Sequence, residues 1–455
     1  MAALALTFAA CSNDDNDIQT SAQQPQKAEG IPFTATISIG ESASTRALTE
    51  NGTTIEATWA DDEEVALIYD AGGTSTKTEA SVKKQTDGTA TISATLASGA
   101  TDGSDVTIIY PATAADGTTG NVKADVLAAQ DGTLTGGGNS IAEKYDVRKG
   151  TGKLSISGGK ATVNNGTAGT PVSLINQNAI FKLTLKDIDG TADVSATSVV
   201  ISDQTGVVTT VTPASAASEM YVALPTTATT LKFLVTGSDS KKYFNMASGL
   251  SLGASYYQST IKLATVGHFI ASNGKCYKDN SAIPSGESAV AKIAYLGGET
   301  GESAYNYTNG LALALSDANG GSTCQWSTST SDAGHTKQND SDNFTIESGL
   351  QYNTTHNSGV YPAFQAAIAN NSTAAPTGCS AWFLASGYQW KKMIDAYTLA
   401  NLKTTAGGYT GLESYFYWSS SEISAYNAWN FYAVNGYWYD DYKDDGNLVR
   451  ACLAF

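Results

Sequence analysis

The sequence predicts a mostly β chain in which two antiparallel β-sandwich domains precede an α+β C-terminal domain. The chain has 455 residues, with 44 glycines and only 15% charged residues. That composition is typical of short strands joined by polar turns, and the length fits two to four domains. Apolar and polar residues alternate in short runs up to about residue 265. Six of the seven tryptophans lie beyond that point, which indicates a different module.

The first predicted sandwich occupies residues 31–150. Residues 31–39 alternate apolar and polar side chains, the pattern of a half-buried strand. Residues 65–69 form a continuous apolar run, and residues 91–96 alternate again. A further strand ends at Pro111, where a proline is expected at the edge of a strand.

The second predicted sandwich occupies residues 151–265. Its clearest strands are residues 181–185, 197–201 and 231–235, with turn residues between them. No amphipathic helix interrupts either set, so two antiparallel sandwiches are the natural architecture.

The C-terminal domain, residues 266–455, is expected to contain helices as well as strands. Residues 361–368 place apolar side chains three and four apart. Ser386 and Gln389 form the pattern of a capping box that opens a helix reaching residue 397.

A β-hairpin is predicted near the end of the chain, with a type I′ turn at residues 435–436 (Asn-Gly). This turn would place Ala433 opposite Trp438 and Tyr432 opposite Tyr439. One face would then be rich in tyrosine and could stack against a sugar, since tyrosine offers a flat apolar ring and a hydroxyl. Plain packing between the strands is the alternative. The candidate ligand-binding residues are Tyr432, Tyr437, Trp438 and Tyr439.

The charge of the chain excludes some partners. The net charge is −17, which leaves no cationic surface for a phosphate backbone, so we expect no nucleic-acid binding. From residue 268 onward the chain has nine Lys and Arg against sixteen Asp and Glu. Polyanionic ligands such as sulfated glycans are therefore not expected.

Five cysteines are present, and Cys11 stands apart from the others. The remaining four, in an extracytoplasmic protein, could pair in three ways or remain buried thiols. They are Cys276, Cys324, Cys379 and Cys452. No Cys-x-x-Cys spacing occurs, so neither a zinc site nor thioredoxin-type chemistry is indicated.

The start of the chain resembles that of an exported lipoprotein. Residues 1–10 form a short apolar run similar to a signal peptide, and small residues precede Cys11. This resemblance implies that Cys11 is lipidated and anchors the protein in the outer membrane. Acidic residues at 12–17 resemble a surface-export signal of Gram-negative lipoproteins. Residues 11–30 are expected to be a disordered linker.

The first half of the chain resembles the fimbrillin family of pilins. The resemblance lies in residues 44–48 (STRAL), 57–62 (ATWADD), 231–239 (LKFLVTGSD) and 252–263 (LGASYYQSTIKL). It implies two transthyretin-like sandwiches, with export as a lipoprotein. It also implies that a trypsin-like protease cuts after an arginine near the start of the first domain. The first strand then leaves, and a strand from a neighbouring subunit takes its place. By position, the cut would fall between Arg46 and Ala47 and release the strand at residues 33–39.

The last part of the chain resembles the C-terminal domain of bacterial collagen-like adhesins, which has a C-type-lectin-like fold. The resemblance is carried by residues 382–386 (WFLAS), 417–422 (YWSSSE), 428–429 (AW), 435–436 (NG) and 448–450 (LVR). It implies binding of a ligand or a surface.

These observations together predict a pilus subunit on the cell surface, located at the tip of the pilus. It would associate with other pilins and bind a glycan or a host protein. The tip position follows from the last strand, residues 449–455, which is expected to be buried and not free for donation. The alternative is an outer-surface lipoprotein that never polymerises and is not cut at Arg46. A third hypothesis is an enzyme of the formylglycine-generating type that uses Cys324 and Cys379. We expect no enzyme, since no catalytic group, cofactor site or metal site stands out.

Overall fold

The computed structural model describes residues 30–39, 48–52, 54–56, 58–124, 126–167 and 169–455. The predicted mostly β fold is confirmed, with several sheets and a few short helices. Cys11, Arg46 and Ala47, on which the lipidation and cleavage predictions fall, lie outside the described residues.

The strands are numbered in chain order. The first eleven are β1 (Ile31–Ile39), β2 (Thr49–Asn51), β3 (Thr54–Glu56), β4 (Glu64–Ala71), β5 (Thr74–Lys84), β6 (Ala90–Leu96), β7 (Asp105–Tyr110), β8 (Ala129–Gln130), β9 (Arg148–Ser157), β10 (Lys160–Asn164) and β11 (Val172–Asn176). The next seven are β12 (Asn178–Asp187), β13 (Ala196–Asp203), β14 (Gly206–Val211), β15 (Glu219–Pro225), β16 (Thr230–Gly237), β17 (Lys242–Ser248) and β18 (Tyr256–Leu263).

The remaining strands are β19 (Phe269–Ala271), β20 (Cys276–Tyr277), β21 (Ala289–Leu296), β22 (Gly310–Ala314), β23 (Cys324–Gln325), β24 (Phe383–Leu384), β25 (Phe416–Glu422), β26 (Asn427–Tyr432), β27 (Trp438–Tyr442), β28 (Gly446–Asn447) and β29 (Ala451–Ala454). The α-helices are α1 (Gly349–Thr355), α2 (Pro362–Ala369), α3 (Gly387–Tyr397) and α4 (Leu399–Leu402).

The first sheet contains eight strands in the order β10-β1-β11-β9-β7-β4-β5-β6, and β6 also pairs with β1, so the sheet closes on itself. Its core includes Phe33, Ile37, Trp59, Ile92 and Ile108, all buried. Alternating side chains build this core because every second residue of each strand points inward.

Two expectations about this sheet were wrong. The second sandwich was expected to begin at residue 151, yet β9, β10 and β11 (residues 148–176) pair within the first sheet. Purely antiparallel pairing was also expected, whereas β1 runs parallel to β10 and β11. Alternation along a strand reports which residues are buried, but it carries no information about the neighbouring strand or its direction.

The second sandwich consists of two layers. One sheet has the order β15-β12-β18, and the other has the order β17-β16-β13-β14-β8. Side chains of both layers share one core that includes Phe181, Leu183, Ile201 and Phe233. Here too one pairing is parallel, since β12 and β18 run side by side over eight residue pairs, from Ile180–Tyr256 to Asp187–Leu263.

The C-terminal module, residues 266–455, combines a six-stranded sheet, a three-stranded sheet and the four helices. The six-stranded sheet has the order β20-β19-β21-β22-β29-β24, and the smaller sheet has the order β25-β26-β27. The predicted capping box is confirmed: the Ser386 side chain accepts from the backbone of Gln389, and the Gln389 side chain accepts from the backbone of Ser386.

The register of the predicted hairpin was wrong by two residues. Phe431, not Ala433, lies opposite Trp438, and the backbone N–H of Tyr432 donates to the carbonyl of Tyr437. Residues 433–436 therefore form a four-residue loop in place of a two-residue turn. Ala433 does not pair with Trp438, because its backbone N–H donates to the backbone carbonyl of Tyr415. A shift of two keeps each side chain on its predicted face, since the period of a strand is two.

The second sandwich and the C-terminal module share a hydrophobic core. Phe244, Met246 and Ala264 pack in the same buried cluster as Ile270 and Phe455. The two parts therefore meet through an apolar interface and not through a flexible linker.

Candidate functional sites: the first-strand groove and an aromatic cleft

β1 fills a groove whose shape matches its side chains. Its residues Phe33, Ala35 and Ile37 are buried, while the residues between them face outward. On β6 the opposing residues are Ala94, Ile92 and Ala90, in that order. Each large side chain thus meets a small one across the strand pair, which allows close packing of the groove.

Both edges of β1 are occupied. β6 pairs with residues 31–37 over seven residue pairs. A strand has only two edges, so β10, at Phe33, and β11, at residues 37–39, share the other edge. Without β1, the facing backbone groups of these strands would lose their partners, and an apolar slot would open to water.

The chain that follows β1 is attached to the second sandwich instead. Leu48 and Ile55 are buried in a cluster with Ile180 and Ala223. Between Leu48 and Ile55 lies Glu50, which binds several polar side chains of the second sandwich. Its carboxylate accepts hydrogen bonds from Tyr221 (2.7 Å), Lys182 (2.9 Å), Tyr256 (2.9 Å) and Gln258 (3.0 Å).

The charge of Glu50 is stabilised by these donors. Its pKa is lowered, first by the hydrogen bond from Lys182 and then by the one from Tyr221. The contact also raises the pKa of Lys182. Arg46 belongs to the segment 40–47 that connects β1 to this anchored hairpin. The sequence analysis missed Glu50, because its partners lie between 132 and 208 residues further along the chain.

A cleft of about 430 Å³ lies between the β26–β27 loop and α3. Three of the four candidate ligand-binding residues line it. The lining residues are Ser341, Asp342, Lys391, Ile394, Asp395, Gly436, Tyr437, Trp438 and Tyr439. Tyr432, the fourth candidate, is not among them; its ring stacks on Phe416, with centroids 4.5 Å apart.

Two aromatic residues at the cleft, Trp438 and Tyr439, are held by other rings on opposite faces of the three-stranded sheet. The Trp438 ring packs edge-on against Phe344 at 4.7 Å and lies 5.6 Å from Phe431. Tyr439 meets Phe416 edge-on at 5.5 Å. Side chains held in this way lose little conformational freedom when a ligand binds.

Some solved structures are similar to this chain. A fimbrial protein of Bacteroides ovatus is 14% identical, with a TM-score of 0.34 and coverage of 94% of this chain and 100% of that chain. A candidate cell adhesion protein of Bacteroides fragilis is 15% identical, with a TM-score of 0.30 and coverage of 52% and 94%. Another, of Bacteroides uniformis, is 15% identical, with a TM-score of 0.28 and coverage of 52% and 94%. No protein-family model matches the sequence, and no curated protein matches it.

The cysteines that the sequence left open are free thiols in the structure. Burial raises the pKa of Cys324 to about 11 and that of Cys379 to about 12. Burial also raises the pKa of Cys276 and of Cys452. A thiol is a poor nucleophile until it ionises, so these environments do not activate any of the four.

Two of the three histidines are buried. His335 and His356 lie in an aromatic cluster, where the His335 ring stacks on Tyr352 at 3.5 Å. Burial, together with the neighbouring His356, lowers the pKa of His335 to about 3. The His335 ring is therefore a neutral packing group at neutral pH.

Within the part of the chain that the structure describes, no group of three or more His, Cys, Asp or Glu side chains is placed to hold a metal ion. No described helix is both long enough and apolar enough to cross a bilayer.

Proposed function

We propose that this chain is a cell-surface pilus subunit that polymerises by strand exchange in its first sheet. The placement of β1 carries this proposal. β1 occupies an apolar groove between two strand edges, while the chain just after it is fixed to another domain through Glu50. A cut between these two attachments would free β1 without disturbing the second sandwich.

The proposed sequence of events starts with cleavage of the peptide bond between Arg46 and Ala47. β1 is then held by non-covalent contacts alone and can leave. The open groove presents unpaired backbone groups of β6, β10 and β11 beside an apolar slot, which a strand from another subunit can complete. The entering strand needs apolar side chains at alternate positions, as β1 has at Phe33 and Ile37.

The proposed position is the tip of the pilus. β29 is paired on one side with β22 and on the other with β24, so this strand is not available for donation. In this proposal the precursor is exported, lipidated at Cys11 and anchored in the outer membrane. Its C-terminal module, lectin-like in fold, carries the ligand site and no enzymatic activity.

The test is the intact mass and the N-terminal sequence of the protein taken from its native outer surface. We expect a mature chain that begins at Ala47, and an Arg46→Ala variant that remains uncut. Lys27→Ala is the matched control, because Lys27 is the other basic residue before residue 48 and its loss should leave cleavage unchanged.

The competing reading is a permanently anchored lipoprotein that binds a glycan or a host protein and never polymerises. It predicts a wild-type chain that begins at a diacylated Cys11. That result would overturn the strand-exchange proposal.

A further inference from the structure

We propose that the groove of the first sheet selects its donor strand, the strand of another subunit that replaces β1, by the order of its side-chain sizes. The inward residues of that strand must be large, small and large at successive alternate positions, as Phe33, Ala35 and Ile37 are in β1. The requirement rests on the proposed strand exchange, and it specifies the partner. The partner is an extended segment with an aromatic residue, then alanine or glycine, then a branched aliphatic residue.

The first position is a wide slot between two alanines. Phe33 lies opposite Ala94 of β6 along one edge of β1 and opposite Ala161 of β10 along the other. Both alanines pack in the same core as the buried Phe33 ring. Because neither neighbour extends beyond its Cβ, the ring occupies the full width between them. A small residue at this position would leave a cavity.

The middle position is narrow. Ala35 lies opposite Ile92 of β6, and Ile92 in turn lies opposite Val82 of β5. All three side chains are buried, so Ile92 has a neighbour on each side across the sheet. A large residue in place of Ala35 would push against Ile92, which has no free space to move into.

The third position is wide again along one edge. Ile37 lies opposite Ala90 of β6, and along its other edge it lies opposite Val172 of β11. All three side chains are buried. The small residue on β6 leaves space for a branched side chain on the entering strand, while Val172 closes the far side.

The far wall of the groove has no spare room behind it. Val163 of β10 and Val172 of β11 lie over Gly152 of β9, where a Cβ would come within 2.7 Å of Val163 and 2.8 Å of Val172. These two valines already occupy the space that a side chain at residue 152 would need. They cannot retreat from a larger entering residue, so the backbone fixes the width of each slot.

A cavity of about 320 Å³ beside β1 does not widen the middle slot. It lies where β1 parts from β10 after Phe33 and has not yet met β11. Its lining includes Ala35, but it also includes Thr34, Thr36 and Thr162, which alternate with the buried residues of their strands and so face away from the core. The space is therefore available to outward residues of a donor strand and not to a larger inward one.

The experiment uses the full chain with the recognition sequence of a site-specific protease inserted after Thr45. A cut there frees β1 from its covalent link without relying on the native protease. The probes are fluorescent synthetic peptides added in excess, and fluorescence anisotropy reports their uptake. The reference peptide has the sequence of residues 31–39, and we expect it to replace β1 in the cut chain.

The size requirement is tested with variants of this peptide. Ala35→Leu should weaken uptake by roughly tenfold, because the added bulk meets Ile92. A peptide with both Phe33→Ala and Ala35→Phe has the same composition in the wrong order, and it should bind at least about a hundredfold more weakly. The matched control is Thr36→Val, a change of similar size on the outward face, which should leave uptake unchanged.

A change in the groove tests the contact directly. Ile92→Val in the full chain removes one methyl group opposite position 35 and is small enough to preserve the sheet. The preference for the reference peptide over the Ala35→Leu peptide should then shrink by roughly threefold or more. A sheet that was merely destabilised would weaken the uptake of both peptides alike and leave the preference intact.

The possible results separate the size requirement from strand exchange itself. Equal uptake of the reference, Ala35→Leu and reordered peptides would overturn the size requirement and leave strand exchange standing. An unchanged preference in the Ile92→Val chain would overturn it too. If the cut chain took up none of the peptides, the reference included, strand exchange would fail and the size requirement with it.

Discussion

Phe244 of the second sandwich and Phe455 of the C-terminal module place their ring centroids 4.5 Å apart, and both side chains are fully buried. The contact lies in a core that both parts share. Close by, the Asn309 amide donates to the Ser202 hydroxyl across the same interface (3.3 Å). The orientation of the C-terminal module relative to the sandwich is therefore set by packing.

Replacing Phe244 with alanine should destabilise both parts together. Loss of a buried phenylalanine costs about 3–5 kcal/mol through lost burial and a cavity. We expect both the second sandwich and the C-terminal module to unfold at a lower urea concentration. Hydrogen exchange measured at increasing urea concentrations reports the unfolding of each part separately. Val207→Ala, at an exposed position of β14, is the control and should change neither. A shift confined to the sandwich would show that the shared core does not couple the two parts.

Shortening one side chain of β1 should loosen that strand in its groove. Phe33→Ala removes the largest inward side chain of β1, with an expected cost of about 3–5 kcal/mol. Hydrogen exchange should then accelerate at the β6 amides that pair with β1. Thr36→Ala, on the outward face of the same strand, should leave that exchange unchanged. If both variants behaved alike, the groove would not be what retains β1.

The attachment of the 48–56 hairpin should weaken in acid. The pKa of Glu50 is lowered in the folded chain, mainly by Lys182. Its contribution to stability is thus complete above the ordinary value of 4.5 and is lost as the pH falls through the lowered value. Hydrogen exchange of residues 48–56 should be faster at low pH than at pH 7.

A Glu50→Gln variant should show that faster exchange already at pH 7, with little further change in acid. Glu64→Gln, at an exposed carboxylate of β4, is the control and should retain the wild-type behaviour. Unchanged exchange in Glu50→Gln would mean that the apolar contacts of Leu48 and Ile55 suffice to hold the hairpin.

A buried carboxyl should make the C-terminal module less stable as the pH rises. Burial raises the pKa of Glu347 to about 7, and its side chain contacts the Ser421 hydroxyl. Between about pH 4.5 and pH 7 the folded state keeps a proton that the unfolded state has lost. Stability should therefore fall by roughly 1.4 kcal/mol per pH unit in that window and level off above it.

Glu347→Gln removes this titrating carboxyl and should make the slope shallower; a remaining slope is expected because burial also raises the pKa of Glu302. Urea unfolding followed by tryptophan fluorescence is the measurement, because six of the seven tryptophans lie in the C-terminal module. Glu413→Gln, at an exposed position, should keep the wild-type slope. Parallel slopes in all three proteins would contradict the assignment to Glu347.

The sequence predicted the strands of this chain better than their partners. Alternation marked β1 correctly, because inward positions such as Phe33 and Ile37 are apolar. It could not show that β10 and β11 join the first sheet, since pairing depends on contacts between distant segments. The Asn-Gly pair located the hairpin, but the hydrogen bond from Ala433 to Tyr415 decided its register.

The candidate sites show the same limit: local sequence marks single residues, but it does not show which distant residues fold beside them. Tyr437, Trp438 and Tyr439 were named as candidates from the local sequence, because the predicted hairpin places several aromatic residues together. Asp342 and Asp395, which share their cleft, come from a distant loop and helix that only the folded chain brings together. Glu50 was missed for the same reason.

The parallel pairing of β12 with β18 also determines how the molecule would carry mechanical load. β12 begins where the chain leaves the first sheet, and β18 ends where the chain enters the C-terminal module. In parallel neighbours those two points lie at opposite ends of the pair, so tension between them shears the ladder and does not unzip it. All eight residue pairs then resist at once.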